Sequence, residues 1–227
     1  MMLTFDRHAN GRRDRVAVAV QTLVIAGWAG RDEAAIRHHL EELAAIGVPP
    51  PSSVPVYYRV GAALLTQESH VPVLGQDSSG EVEPVLLSLA DGLWVGIGSD
   101  HTDRKAETVG IALSKQMCPK PVGSELWSYP EVEPHWDRLM MRSFATVQGE
   151  RVLYQEGPLT ALRSPRNLME SRPGGPELPP GSLLFCGTLG AIGGIRPAAR
   201  FEMELEDPVL GRTLRHAYDI ECLPVVS

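Results

Sequence analysis

No stretch of this chain is apolar for long enough to cross a bilayer, and no basic run offsets its acidic balance. The formal charge of −7 and pI near 5.5 argue against nucleic acid or an anionic membrane surface as partner. Cysteine is scarce: Cys118, Cys186 and Cys222 form no CxxC pair and are odd in number. That spacing excludes a disulfide framework and a zinc site, and predicts buried, reduced thiols. Aromatic residues make up only 6%. The opening MMLTFDRHANGRRDR lacks the apolar region of a secretory leader, so a cytoplasmic setting is expected.

What is plentiful is turn-forming residues. Nineteen prolines and 22 glycines in 227 residues favour short strands and turns over a helical bundle. VAVAVQTLVIA at 16–26 alternates and then becomes continuously apolar, as strands entering a core do. Asp32 fits an N-cap, and a helix is expected over Glu33–Ile46, closed by Gly47. Pro49, Pro50 and Pro51 form a stiff connector. They divide an N-terminal strand–helix segment, 1–53, from a β-rich body, 54–227, with the whole read as one structural domain. VPVYYRVGAALL, EVEPVLLSL, LWVGIGS, SLLFCGT, FEMELED and LRHAYDIECLPV read as strands, 130–142 as a second helix and 164–181 as a loop. The fold class is mostly β, α+β, with a short N-terminal helical segment.

Four groups point to chemistry: Glu81, Glu83, Asp100 and Lys115. On a strand, Glu81 and Glu83 at i and i+2 share one face, roughly 6–7 Å apart, and both can converge on one ion. Asp100 would join from the next strand. Oxygen-only ligation favours Mg²⁺, Mn²⁺ or Ca²⁺ over zinc. Taken alone, the pair more often marks the polar face of a half-exposed strand, since alternating Glu is common on solvated strands.

The surroundings of these residues resemble the fumarylacetoacetate hydrolase superfamily. GEVEPVLLSL followed by GSDHTDR resembles its E-x-E strand and N-D-x-x-x-R segment, with Ser99 in place of Asn and with Asp100 and Arg104 in register. Lys115 with Cys118, Pro119 and Pro121 resembles the K…P-x-G-P stretch. Gly149, Glu150, Arg151 and Gln155 resemble N-G-E-x-x-Q, and PGSLLFCGTLGAIGG resembles the T-G-T-P-x-G-V-G loop. FEMELEDPVLGRTLRH resembles the closing strands, so the ordered matches cover nearly the whole chain. The likeness is closer still to a divergent prokaryotic branch of unassigned function. Ser99, an inserted Lys120, Leu189 for Pro and Ser182 for Asp depart from the pattern and imply an altered pocket.

The resemblance implies a β-sandwich or roll, a homodimer, and Glu81, Glu83 and Asp100 as ligands of Mg²⁺ or a related cation. It places Lys115 where it would stabilise an enolate. The Gly187–Gly193 loop would hold a substrate carboxylate through Thr188 and backbone N–H groups; glycines let such donors approach an anion. The family's H-x-x-E lid pair has two possible registers here, His38/Glu41 and His39/Glu42. Ile36, Leu40 and Leu43 form the helix's apolar stripe; His39 and Glu42 flank it and the other pair points away. His39 is therefore favoured as general base, with Glu42 orienting it, although RHHLEEL also fits an ordinary solvated helix face. Arg59 stands where the family often carries a lysine; it would meet a substrate carboxylate or pair with an acidic neighbour.

The implied reaction is hydrolytic C–C cleavage of an acylpyruvate-like 2-oxo acid through a metal-stabilised enolate. A decarboxylase, hydratase or tautomerase of a 2-oxo acid needs the same groups. A non-catalytic small-molecule-binding protein is the rival of a different class.

Overall fold

Strand Val82–Leu89 is buried on both faces for almost its whole length, because it lies in the middle of one sheet and between two cores. The computed structural model describes residues 1–45 and 50–226, with the side chains at 35, 39 and 42–45 outside that description. The larger sheet runs in the order Arg12–Ala19, Met2–Ala9, Glu125–Ser128, Gly92–Ser99, Val82–Leu89, Ser182–Phe185, Thr22–Gly27, Val56–Val60. The smaller runs Glu150–Pro158, Met140–Val147, Arg200–Asp207, Arg212–Leu223, His70–Leu74. Its pairs are antiparallel except the last, which is parallel.

The two faces of Val82–Leu89 serve different cores. Val82 and Leu86 pack with Val71, Met141, Phe201, Leu214 and Tyr218, between the sheets. Val85 and Leu87 pack with Leu3, Phe5, Leu23, Ile25, Trp94 and Phe185, all from strands of the larger sheet itself. A sheet whose outer and inner strands fill one face together is curled around that face, as strand twist favours. The mostly-β architecture expected from the turn-rich composition is the one observed.

The first three strands are built into the larger sheet. Met2–Ala9 lies parallel to Glu125–Ser128, and Thr22–Gly27 pairs with both Ser182–Phe185 and Val56–Val60. The boundary expected at residue 53 thus falls between two strands that pair with each other. Helix Glu33–Ala45 starts as the sequence implies: Asp32 Oδ1 accepts from Ala34 N at 2.9 Å, satisfying a donor the first turn leaves unpaired. Its expected end at Ile46–Gly47 lies outside the described residues.

Three expectations need correcting. Residues 130–142 are not one helix: a turn at Tyr129–Val132 passes into a 3-10 segment, Glu133–Arg138, and then into strand. Pro130 and Pro134 suit the start of a helical turn but cannot continue an α-ladder, having no N–H. The span 164–181 is not all loop: Pro165–Ser171 is helical, with Ser164 Oγ accepting from Asn167 N and proline at the first position. Of the three cysteines, Cys118 and Cys186 are buried but Cys222 is exposed. No helix among the described residues is long and apolar enough to cross a membrane.

Candidate metal centre

The hairpin of Val82–Leu89 and Gly92–Ser99 sets the spacing of the acidic groups. Val82 is opposite Ser99 and Glu83 opposite Gly98. The ladder continues beyond the strands, with Asp100 N donating to Glu81 O at 2.9 Å. Glu81, Glu83 and Asp100 therefore emerge at the same end of one hairpin. One carboxylate oxygen from each lies within 4.8 Å of the others. Glu83 and Asp100 are buried and Glu81 partly so.

Three cations surround the three carboxylates. Arg104 Nη2 lies 3.0 Å from Glu81 Oε1 and its Nε donates to Ser79 Oγ at 2.7 Å. Lys115, on helix Ile111–Met117, lies 3.5 Å from Glu81 Oε2 and donates to Asp100 Oδ2. Lys120 Nζ sits 3.1 Å from Asp100 Oδ1, near enough to pair in charge but outside hydrogen-bond geometry, so that this buried oxygen lacks a hydrogen-bond donor.

These surroundings set the protonation of each group. Burial drives the Glu83 carboxyl well above its ordinary range, and the Asp100 and Glu81 charges add to that, against smaller opposite effects of Lys115 and the Gly187 amide. Burial also pushes Asp100 upward, but Lys115 and Lys120 together outweigh it and hold Asp100 low. Burial disfavours the Lys115 charge, yet Glu81 and Asp100 more than compensate, so the ammonium is firmly protonated. An all-oxygen set with one undonated buried oxygen and one carboxyl that resists ionising fits a hard divalent cation.

The glycine-rich loop is locked onto this hairpin. Gly187 N donates to Glu83 Oε2 at 2.6 Å, and Thr188 Oγ1 donates to Val82 O at 2.7 Å. Gln155 holds both sides: its Nε2 donates to Thr188 Oγ1 at 2.8 Å and Leu189 O at 2.6 Å. Its Oε1 accepts from Val82 N and Ser143 Oγ. Behind the ligands, Ser99 Oγ accepts from Glu81 N and Tyr218 Oη. His101 bonds Tyr218 Oη and Ser78 Oγ, both at 2.9 Å. Burial, aided by Lys120 and Arg104, lowers His101 to about 3, so it is a neutral core residue facing away from the ligands.

A cavity of about 430 Å³ opens on the cluster, lined by Glu81, Glu83, Lys115, Tyr58, Thr188 and Ile36 among others. A larger cleft, about 680 Å³, is lined by none of the cluster. Three of its four arginines are paired, Arg31 with Asp137, Arg163 with Glu33 and Arg166 with Glu133.

Of the residues picked out from sequence, Glu81, Glu83, Lys115, Gly187 and Thr188 line one cavity, and Asp100 is buried beside the two glutamates. The two loop groups are already engaged: the Gly187 amide serves Glu83 and the Thr188 hydroxyl serves Val82. Arg59 is not brought in. It is exposed, its Nη2 donates to Thr22 Oγ1 at 3.1 Å, and it stands next to Tyr58, which does line the cavity; adjacent strand residues face opposite ways. Helix Glu33–Ala45 borders the cavity through Ile36, while the His39 and Glu42 side chains lie outside the described residues. Sequence reading missed Tyr58 and Glu107 as lining residues and the contact of Lys120 with Asp100. Lys120 was visible only as an insertion in the proline stretch.

The same fold occurs in solved structures. Cg1458 superposes with a TM-score of 0.61 at 16% identity, over 94% of this chain and 83% of that one. The 2-keto-3-deoxy-D-arabinonate dehydratase complexed with magnesium and 2,5-dioxopentanoate gives 0.59 at 14%, over 96% and 79%. The 4-oxalocrotonate decarboxylase from Pseudomonas putida G7, complexed with calcium and acetate, gives 0.54 at 17%, over 89% and 77%. These likenesses bear out the fumarylacetoacetate-hydrolase-like fold. No curated protein matches the chain. Residues 26–218 match the family described as "Protein of unknown function (DUF2848)", and the chain belongs to that family.

Proposed function

We propose that this protein is a divalent-cation-dependent enzyme of 2-oxo acids, a divergent member of the fumarylacetoacetate hydrolase superfamily. The observation that carries the proposal is the convergence of Glu81, Glu83 and Asp100 within 4.8 Å beside the Lys115 ammonium. Neighbours in fold, a 2-keto-3-deoxy-D-arabinonate dehydratase with magnesium and a 4-oxalocrotonate decarboxylase with calcium, support it. Glu81, Glu83 and Asp100 would hold the cation, Mg²⁺ or Mn²⁺, with Ca²⁺ as an alternative. When bound, it supplies Lewis acidity, polarising the oxygens of a chelating 2-oxo acid.

The chain's own groups do the rest. In the ion-free cluster Glu81 and Asp100 hold the Lys115 ammonium charged. It faces the cavity as a fixed positive charge where an enolate oxygen would develop. Tyr58, Ile36 and Ala26 line the cavity and keep that charge from being dissipated by bulk water.

For an acylpyruvate-like substrate, water adds to the distal carbonyl carbon. The C–C bond then breaks with its electron pair going to the 2-oxo acid enolate, and a proton returns to the enolate carbon. The water needs a base. Among the described side chains lining the cavity, Glu81 and Glu107 are ion-paired, Glu83 accepts from Gly187, and none is a histidine. His39, oriented by Glu42 on the bordering helix, is the base this reading assigns.

A second reading is decarboxylation, in which the departing CO₂ leaves its electron pair on the enolate and no water is activated; the likeness in fold to a 4-oxalocrotonate decarboxylase supports it. Hydration and tautomerisation remain open to the same groups. The homodimer and cytoplasmic setting complete the proposal; sedimentation velocity and cell fractionation test them.

The deciding experiment is a Mg²⁺- or Mn²⁺-supplemented screen of acylpyruvates, oxaloacetate and unsaturated 2-oxo acids. Metal-dependent turnover lost in Glu81→Ala would establish the class. Release of pyruvate with a second carboxylic acid, lost in His39→Ala, selects the hydrolase; CO₂ release that survives His39→Ala selects the decarboxylase. Absence of Mn²⁺ binding by the wild type would favour the non-catalytic binding protein.

A further inference from the structure

Asp100 receives two lysines from opposite sides. Lys115 reaches Oδ2 and lines the cavity. Lys120 sits 3.1 Å from Oδ1, is 0% exposed and does not line the cavity. It belongs to a two-residue bridge, Lys120–Pro121, paired with Leu65–Thr66, and its Nζ also donates to the His101 carbonyl. Among the described residues, Asp100 is the one carboxylate within ion-pair distance of it.

Holding a divalent cation does not call for this arrangement. Lys115, Lys120 and Arg104 already offset the carboxylates around them, Glu107 included, so an added ion enters a cluster whose charge is compensated without it. A buried ammonium on a ligand oxygen repels that ion, and the repulsion is strong where water is excluded. The benefit lies in the ion-free protein. Of the two Asp100 oxygens, Lys115 serves Oδ2 alone, and a buried carboxylate oxygen that faces no cation is costly where one beside a fixed cation is not.

We propose that Lys120 is an internal counter-ion for Asp100, a positioning residue that lets the carboxylates fold together before the cation arrives and thereby weakens its binding. This inference rests on the reading that the cluster takes a divalent cation. Since Lys120 does not reach the cavity, it acts through Asp100 and not on a substrate.

The test is Lys120→Met, which keeps the length of the side chain and removes its charge, with Mn²⁺ alone as probe. Calorimetry should give Mn²⁺ binding about tenfold tighter in the variant than in the wild type. The ion-free variant should melt lower than the ion-free wild type, and saturating Mn²⁺ should raise its Tm by more than it raises the wild type's. Lys120→Met combined with Asp100→Asn should recover ion-free stability and lose Mn²⁺ binding. If Lys120→Met does not fold alone, it should fold when refolded with Mn²⁺; failure there, unrescued by Asp100→Asn, overturns the proposal. Equal Mn²⁺ affinity and equal Tm shifts in wild type and Lys120→Met overturn it while leaving the metal reading intact. Failure of both proteins to bind Mn²⁺ overturns both.

Discussion

The Gly187 backbone N–H donates to Glu83 Oε2 at 2.6 Å, tying the glycine-rich loop to the acidic strand. Gly187 has φ +95°, and a Cβ added there would stand 2.5 Å from the Ala29 Cβ. Gly187→Ala should therefore cost roughly 2–4 kcal/mol, from left-handed backbone strain and overpacking together, and should weaken Mn²⁺ binding by displacing Glu83. Gly190, whose added Cβ would meet nothing within 4 Å, is the control, with an expected change under about 0.5 kcal/mol. Urea denaturation measures both; equal losses would mean that the Gly187 contact has no special role.

Metal binding should release a proton. Glu83 is held well above its ordinary 4.5, by burial first and by Asp100 and Glu81 next. A carboxyl raised in the folded state contributes stability that is present below 4.5 and lost as pH climbs through its folded value. The ion-free protein should accordingly gain stability at neutral pH on Glu83→Gln. Mn²⁺ affinity of the wild type should rise with pH, because the ligand must ionise to bind. Calorimetry in buffers of different ionisation enthalpy measures the released proton, which Glu83→Gln should abolish. A pH-independent affinity would contradict the assignment.

His101 predicts acid lability of a different origin. Its ring, bonded to Tyr218 and Ser78, is lowered from 6.5 to about 3, chiefly by burial. The unfolded chain binds a proton that the folded one refuses, so stability falls as pH drops from about 6.5 toward 3. His101→Gln keeps a hydrogen-bonding side chain and does not titrate. Its deficit against wild type at pH 7 should narrow by about 2–3 kcal/mol at pH 4. Denaturant midpoints at the two pH values check this, and a constant gap would sink it.

Lys115→Met separates binding from turnover. Removing a cation beside Glu81 and Asp100 should leave Mn²⁺ affinity equal or tighter, while turnover of any substrate found falls about 10²–10³-fold. Parallel loss of Mn²⁺ binding and turnover would instead make Lys115 a structural member of the cluster.

The carboxylates were legible in the sequence because their relationship is local. Glu81 and Glu83 share a strand face by parity, and Asp100 follows on the adjoining strand of the same hairpin. Helix Glu33–Ala45 was legible through Asp32 at its start. Arg59 and Tyr58 were not separable: nothing in VYYRV says which face of that edge strand meets the cavity, and the structure puts Tyr58 there. Lys120 was hidden for a related reason. A buried lysine is stable only through a partner, and its partner is 20 residues earlier in the chain, across a fold the local pattern does not encode. The helix Pro165–Ser171 was overlooked although Ser164 and Pro165 mark its start, because the many prolines and glycines around it dominate the composition.

Backbone pairing between Val82–Leu89 and Gly92–Ser99 fixes the distance from Glu83 to Asp100, and the connector at Ala90–Asp91 sits at the far end. The connector can therefore be lengthened, cleaved, or reopened as new chain termini at the cost of little more than the contacts of Asp91 with Arg7 and the Trp94 indole, with the cation cage intact. A single residue inserted between Glu83 and Leu89 has the opposite outcome: it flips the inside and outside of the strand, and no repair of the connector restores the cage.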